Sequence, residues 1–316
     1  MPAEPVRVLM FDPMPSWTVA RLRREFEVFE LPGLAGPANW TLPDPETIRA
    51  IAMPGFVAVP GEVMAQLPKL EIAACFGVGY DGVDLDYTRA HGIVVSNTPD
   101  VLTECVADLG IALVLACYRR IAEGDRYVRA GRWEREGILD LGRSPRGKRL
   151  GIVGLGRIGM ALAKRAEAFG MSIAYHNRAS RGDVDYAYCD SPATLAAECD
   201  VLALTCPGGP ATQNLIDAEV LAALGPEGWL VNIARGSVVD QAALVRALQA
   251  GQIAGAGLDV FADEPRVPDE LMSMENVVLQ PHQASATVET RTAMGDLMID
   301  NLLAHFQGRP LPTPVA

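Results

Sequence analysis

LGIVGLGRIGMALAKRAEAFGMSIAYHNRAS, residues 150–180, decides how the rest of the chain is read. Leu150–Val153 is an apolar run short enough for a buried strand. Gly154, Gly156 and Gly159 follow at the spacing G-x-G-x-x-G. An amphipathic helical pattern then runs to about Phe169, with Gly170 placed to end it in a left-handed conformation. Ile173–Tyr175 reads as a second strand. In such a βαβ unit each glycine has a physical task. Gly154 makes the tight turn, Gly156 lets a pyrophosphate approach the backbone, and Gly159 lets the helix lie close to the strand. The helix start offers N–H groups and a positive dipole end to phosphates. The stretch therefore predicts a dinucleotide site.

The chain around it has 316 residues, enough for two domains. Its hydrophobic content of 49% supplies sizeable cores. The net charge of −12 argues against a nucleic-acid footprint, and an anionic substrate must be met by local positive charge. Six cysteines, Cys75, Cys105, Cys117, Cys189, Cys199 and Cys206, form no C-x-x-C pair and sit mostly in apolar runs. They predict buried thiols in a reducing, cytoplasmic setting. No signal-peptide pattern, membrane-length apolar run or metal-ligand spacing is present, so neither a membrane nor a metal is expected.

Strands alternating with helices along the chain argue for parallel sheets covered on both faces. Before the quoted stretch, strands are expected at Val6–Phe11, Glu27–Leu31, Phe56–Val59, Leu70–Phe76 and Ile93–Ser96. Helices are expected after Ser16 as N-cap, at Gly61–Leu67 and at Asp86–His91, with a Gly- and Pro-rich loop at Gly33–Pro45. Asn97–Asp100 interrupts the pattern and marks a boundary. Leu102–Tyr118 reads as a helix apolar on most faces, to be buried between domains or subunits. Arg119–Lys148 reads as a charged, irregular arm anchored by Trp133. After the quoted stretch, further strands and helices alternate to Leu279, and a last helix spans Thr287–His305. About 30 residues cannot form a domain alone. The expected architecture is α/β with two doubly wound parallel sheets. A dinucleotide-binding Rossmann domain, residues 99–284, is inserted into a flavodoxin-like substrate domain, residues 1–98 and 285–316.

Ligands of open α/β sheets bind beyond the carboxyl ends of the strands. Gly77–Gly82, Thr205–Gly209, Ala234–Ser237, Asp259–Glu264 and Pro281–Gln283 all follow expected strands. Among them Arg235 can hold a carboxylate and polarise a carbonyl. His282 can pass a proton near neutral pH, and Glu264 can orient its imidazole. These are the parts that a carbonyl accepting hydride needs. Met53, Phe56 and the Ile138–Leu141 arm, the last from a partner subunit, are the candidates to border the substrate's tail, with core packing the favoured role for Phe56.

The chain resembles the D-isomer-specific 2-hydroxyacid dehydrogenases, and in particular their glyoxylate/hydroxypyruvate reductase branch. The likeness rests on FGVGYDGVD at 76–84, NTPDVLTECVADL at 97–109 and GIVGLGRIG at 151–159. It continues in NIARGSVVD at 232–240, GLDVFADEP at 257–265 and PHQASAT at 281–287. The resemblance implies catalytic roles for Arg235, Glu264 and His282. It implies a carboxylate held by the backbone N–H groups of Val78 and Gly79, with Arg235 and His282 also on the substrate. It implies cofactor contacts from Leu155 and Ile158 in the turn, from Thr205, Cys206 and Pro207, and from Ile233, Ala234 and His282. Asp259 would bond the nicotinamide carboxamide. It also implies a homodimer through the cofactor domain. Gln283 departs from the usual aliphatic or small residue after the histidine.

The strand that closes the unit selects the cofactor. A site for NAD places Asp or Glu about 20 residues on, at the ribose 2′-hydroxyl. Here residues 175–181 read YHNRASR, without an acid, and Asp183 lies beyond. Arg178 can pair with a 2′-phosphate, Asn177 and Ser180 can donate to it, and Arg157 can reach the phosphates. NADPH is therefore expected, with NAD as the weaker alternative. The expected activity is NADPH-dependent reduction of a small 2-oxo acid to the D-2-hydroxy acid, with His282 as proton donor. The rival readings are a reductase of larger acids such as phenylpyruvate or 2-ketogluconate, and a nucleotide-sensing, corepressor-like binding protein.

Overall fold

The computed structural model describes residues 5–32, 40–42 and 44–315; most of the loop expected at Gly33–Pro45 lies outside them. The chain divides into two compact units, residues 1–102 with 287–316, and residues 103–286. These limits fall a few residues beyond the expected 98/99 and 284/285.

The first unit runs β1 (Arg7–Phe11), α1 (Ser16–Glu25), β2 (Glu27–Leu31), β3 (Ile48–Pro54), α2 (Gly61–Met64), β4 (Ile72–Phe76), α3 (Leu85–His91) and β5 (Val94–Ser96). Its sheet has the order β2-β1-β3-β4-β5 with every pair parallel. That is the flavodoxin-like order. The third strand is not at Phe56–Val59. It is Ile48–Pro54, where small alanines dilute the apolar pattern but every residue except Arg49 is buried. The chain turns at Gly55, and Val59 makes only an isolated bridge to Val83. Ser16 is likewise the first helical residue rather than the cap; Pro15 holds that position. Asp84 does cap α3, its side chain accepting from the Tyr87 amide.

The second unit opens with α4 (Thr103–Tyr118), α5 (Ile121–Arg129) and α6 (Arg132–Glu136). It continues β6 (Arg149–Val153), α7 (Arg157–Ala168), β7 (Ser172–His176), β8 (Ala187–Tyr188), α8 (Pro192–Glu198), β9 (Val201–Leu204), α9 (Ala218–Leu224), β10 (Trp229–Asn232), α10 (Gln241–Gln249), β11 (Gly255–Leu258), α11 (Asp269–Ser273) and β12 (Val277–Leu279). The sheet order is β12-β11-β10-β9-β6-β7-β8, again all parallel. This is the doubly wound order extended by one strand, and it reverses between β6 and β9.

Two expectations for this unit need correction. The apolar helix α4 is buried within its own unit, against α7 and strands β10 to β12. Gly110 makes this possible, because a Cβ there would stand 2.8 Å from Ile233 Cδ1. The arm after it is not irregular: it holds α5 and α6, started by the left-handed residues Arg120 and Gly131.

The last helix, α12 (Val288–Phe306), returns to the first unit and packs on β4 and α1. Thr287 caps it by accepting from the Thr290 amide. Beyond it the tail runs antiparallel to β5, with Val315 N donating to Val95 O at 2.8 Å and a bridge between Ser96 and Pro314. The tail thereby covers an otherwise open sheet edge.

Candidate active site

Of the cofactor candidates, Gly154, Leu155, Gly156, Asn177, Arg178, Thr205, Cys206 and Pro207 meet at the switch point, whereas Arg157, Ile158, Gly159, Ser180, Ile233, Ala234, Asp259 and His282 do not line the cavity there. A cavity of about 670 Å³ lies beyond β6, β7 and β9, walled by Gly154–Gly156, by Asn177 and Arg178, and by Thr205–Pro207. Gly154 has φ +97, and a Cβ there would come within 2.5 Å of the Cys206 amide nitrogen. Gly159 would collide with the Gly154 carbonyl at 2.7 Å. A Cβ on Gly156 would meet nothing within 4 Å, so open space lies where a phosphate would approach. Helices α8, α9 and α10 are each capped by a side chain, from Ser191, Asp217 and Asp240. Helix α7 starts on Gly156 and has no side-chain cap. Its first N–H groups can take an anion as their cap, which fits a dinucleotide's pyrophosphate.

The neighbouring loop holds this turn in shape. Asn177 Oδ1 accepts from Leu155 N at 2.7 Å, and Arg181 Nη1 donates to Leu155 O at 2.7 Å. Asn177 thus spends its side-chain oxygen on the turn. It stands where an NAD site would carry an acid, and it is neutral. Arg181, not singled out from sequence, is also paired with Asp183 through Nε at 2.9 Å. Arg178 is exposed at the cavity rim with no ion pair among the described residues. Ser180 is exposed and outside the cavity wall. Burial pushes the Cys206 thiol up to about 11, so it lines the cavity as a neutral group.

The three catalytic candidates also share this unit. His282 Nδ1 lies 2.7 Å from Glu264 Oε2, and Glu264 Oε1 accepts from the Phe261 amide at 3.0 Å. Burial alone would raise the Glu264 carboxyl; the His282 hydrogen bond and charge outweigh it and hold it below the ordinary carboxylate range. Arg235 adds to that effect. Its loop is pressed against the 261–262 backbone, where a Cβ on Gly236 would overlap Phe261 at 1.9 Å. Buried Asn232 shapes the same loop, donating to Arg235 O at 2.9 Å and accepting from Ala234 N at 3.0 Å.

Asp259 has a task that sequence reasoning missed. It is fully buried, and it receives three consecutive amides. His282 N donates to its carbonyl at 2.8 Å, Gln283 N to Oδ1 at 2.6 Å and Ala284 N to Oδ2 at 2.9 Å. His282 sits at φ +55, a conformation costly for a residue with a Cβ. Asp259 is the clamp that keeps it there. Burial raises its carboxyl, despite two amide bonds that pull the other way.

In the first unit, the Gly77–Gly79 loop follows β4. The amides of Val78 and Gly79 have no acceptor among the described residues. Met53, expected at the substrate's tail, is fully buried in the core of this unit. Phe56 packs against the same core. Of the remaining histidines, His91 bonds Tyr87 O, His305 bonds Glu71, and His176 bonds Cys189 O beside the cavity. No group of His, Cys, Asp and Glu among the described residues could hold a metal ion. No helix among them is long and apolar enough to cross a membrane.

Comparison with known proteins identifies the family. Residues 111–284 match the family described as D-isomer specific 2-hydroxyacid dehydrogenase, NAD binding domain. The chain is 47% identical over 312 residues to a hydroxyphenylpyruvate reductase of Plectranthus scutellarioides, covering 99% of each. It is 46% identical over 308 residues to a 2-ketogluconate reductase of Gluconobacter oxydans, covering 98% of each. Its structure matches an NADPH-dependent glyoxylate/hydroxypyruvate reductase of Sinorhizobium meliloti, solved with NADP and malonate. The TM-score is 0.93 at 47% identity, over 99% of this chain and 97% of that one.

Proposed function

The chain belongs to the D-isomer specific 2-hydroxyacid dehydrogenase family, and from that premise we propose that it reduces a 2-oxo acid to the D-2-hydroxy acid with NADPH. The observation that carries the reaction is the His282–Glu264 pair at 2.7 Å, in the same unit as Arg235 and the glycine turn. The second unit is the dinucleotide-binding domain and the first the substrate-binding domain. Gly154, Gly156 and the start of α7 hold the pyrophosphate. The bound reduced nicotinamide supplies a hydride. In the second unit Arg235 is the cation for the substrate carboxylate; in the first, the Val78 and Gly79 amides are the donors assigned to a carboxylate. With Nδ1 fixed on Glu264, His282 delivers its proton from Nε2 to the oxygen that gains charge at C2. Glu264 stabilises the imidazolium before transfer and orients the ring.

The preference for NADPH follows from a neutral Asn177 and an exposed Arg178 at the cavity rim. The substrate is a small acid such as glyoxylate or hydroxypyruvate. A second reading, a larger acid, is supported by the hydroxyphenylpyruvate and 2-ketogluconate reductases that the chain resembles over its length. Following NADPH absorbance with glyoxylate, hydroxypyruvate, phenylpyruvate and 2-ketogluconate separates the readings. NADPH binding without turnover of any of them would instead favour a nucleotide sensor. His282→Ala is expected to lower kcat by roughly 10²–10⁴-fold with NADPH binding retained; near-normal kcat would remove His282 from the reaction.

The partner is a second copy. Val128, Trp133, Ile138 and Leu141 of the second unit are exposed apolar side chains, Ile138 and Leu141 at 88% and 89%. A homodimer through this arm would cover them, and a monomer by sedimentation at micromolar concentration would refute it. Six free thiols suit a reducing compartment, so a cytoplasmic enzyme is expected. Recovery outside the cytoplasm on fractionation would overturn that.

A further inference from the structure

The carboxylate-binding role proposed for Val78 and Gly79 has a structural cause at the end of the neighbouring strand, β5. Three successive carbonyls of the loop after β4 are fixed. Gly77 O accepts from Thr98 N at 2.8 Å. Val78 O accepts from Asn97 Nδ2 at 2.9 Å. Gly79 O is packed so closely on Gly55 that a Cβ there would lie 2.1 Å from it. The cis peptides of the described chain, Asp12–Pro13 and Glu264–Pro265, lie elsewhere. In a planar trans peptide, the C=O of one residue and the N–H of the next point in opposite directions. Tying the carbonyls of Gly77 and Val78 to residues 97 and 98 therefore turns the N–H groups of Val78 and Gly79 the other way, side by side.

Asn97 is itself held. Thr313 Oγ1 donates to Asn97 O at 2.7 Å, and Asn97 N donates to Thr313 O at 3.3 Å. Thr313 is fixed in turn by the fully buried Asn301 of α12, which donates to Thr313 Oγ1 at 2.8 Å and accepts from Thr313 N at 3.0 Å. A continuous hydrogen-bonded path thus runs from the last helix, through the tail, to the loop that presents two amide donors.

We propose that Asn97 is a positioning residue for the substrate carboxylate, holding the 77–79 peptides so that the Val78 and Gly79 amides face one anion, with the tail at Thr313 as its anchor. This rests on the proposed reduction of a 2-oxo acid. Without the Asn97 amide, the Val78–Gly79 peptide is free to rotate, and one of the two donors is lost to the carboxylate. The pyrophosphate turn is untouched, because it is built from other residues.

The test measures KM for hydroxypyruvate and for NADPH separately, and the inhibition constant of oxamate, an unreduced 2-oxo acid mimic. Asn97→Ala is expected to raise the hydroxypyruvate KM and the oxamate inhibition constant together, by roughly three- to tenfold, the value of one hydrogen bond. The NADPH KM should stay within about twofold, since no cofactor contact changes. Thr313→Val removes the anchor but keeps the amide, and should raise the same two constants by about two- to threefold. A purely structural role would lower thermal stability and leave both constants unchanged, or move the NADPH and hydroxypyruvate KM alike; either result overturns the proposal. If Asn97→Ala does not fold, Thr313→Val carries the test. A wild-type protein that reduces no 2-oxo acid would sink the functional reading. An active wild type with an unaltered Asn97→Ala sinks this inference alone.

Discussion

Two glycine-containing turns follow central strands of the two sheets, and they prepare for anions by opposite means. In the turn after β6, the middle residue is consumed: Leu155 gives its amide to Asn177 and its carbonyl to Arg181. The anion's donors come instead from the uncapped start of α7. In the loop after β4, the carbonyls are consumed by residues 97 and 98, and the amides of the turn itself remain. No helix follows directly; α3 begins only at Leu85. A phosphate is therefore met by a helix end, whose field reaches the whole first turn. A carboxylate is met by two oriented peptides, a smaller and more exacting target.

This contrast can be broken at its strongest point first. Gly154→Ala places a Cβ at φ +97 and 2.5 Å from the Cys206 amide. Strain and overpacking together cost on the order of 2–5 kcal/mol. NADPH and NADH binding should both fall by about 100-fold or more by calorimetry, and retained binding would show that the turn is not the pyrophosphate site. Arg178→Ala sharpens the same side. It should raise the NADPH KM by roughly 10–100-fold, the value of a charge-assisted bond. NADH should be spared; equal losses would mean that Arg178 does not read the 2′-phosphate. Gly55→Ala attacks the other turn through Gly79 O. It should raise the 2-oxo acid KM by about tenfold while the NADPH KM holds, and a joint rise would erase the distinction between the turns. Glu264→Gln lies outside both and serves as the control. Reduction needs a protonated His282, and the variant loses the carboxylate that stabilises the imidazolium. The kcat of reduction should fall by roughly tenfold, with both KM values little changed. An unmoved kcat would leave Glu264 without its assigned part.

The turn after β6 was legible from sequence because its geometry forces residue identity. Gly154 and Gly159 leave no room for a Cβ, so the spacing itself is a physical signature. The loop after β4 carries no such signature. Its amides are backbone atoms, and their orientation depends on Asn97, which reads as a break between domains. The pairing of Glu264 with His282 was legible because charged groups at strand ends are few. The clamp on Asp259 was not, since it is made with the amides of residues 282–284. The burial of Met53 was not legible, because an apolar residue at a strand end reads alike as core and as pocket wall. Phe56–Val59 misled for a related reason. It is a β-rich tetrapeptide, whereas the real strand, RAIAM flanked by Ile48 and Pro54, contains two alanines that suit a helix equally well. Helices α5 and α6 were hidden by their charge, which lies on exposed faces held by pairs such as Arg129–Asp125 and Arg132–Glu136.

The return of α12 and the tail to the first unit has a consequence in time rather than in space. Synthesis delivers residues 103–286 without interruption, so the second unit has all its strands as soon as Ala286 emerges. The first unit, begun earlier, still lacks the helix that packs on β4 and the segment that closes the edge of β5. Domains fold as units, usually in the order of synthesis. Here that order is inverted, and the unit begun first is the last to be finished.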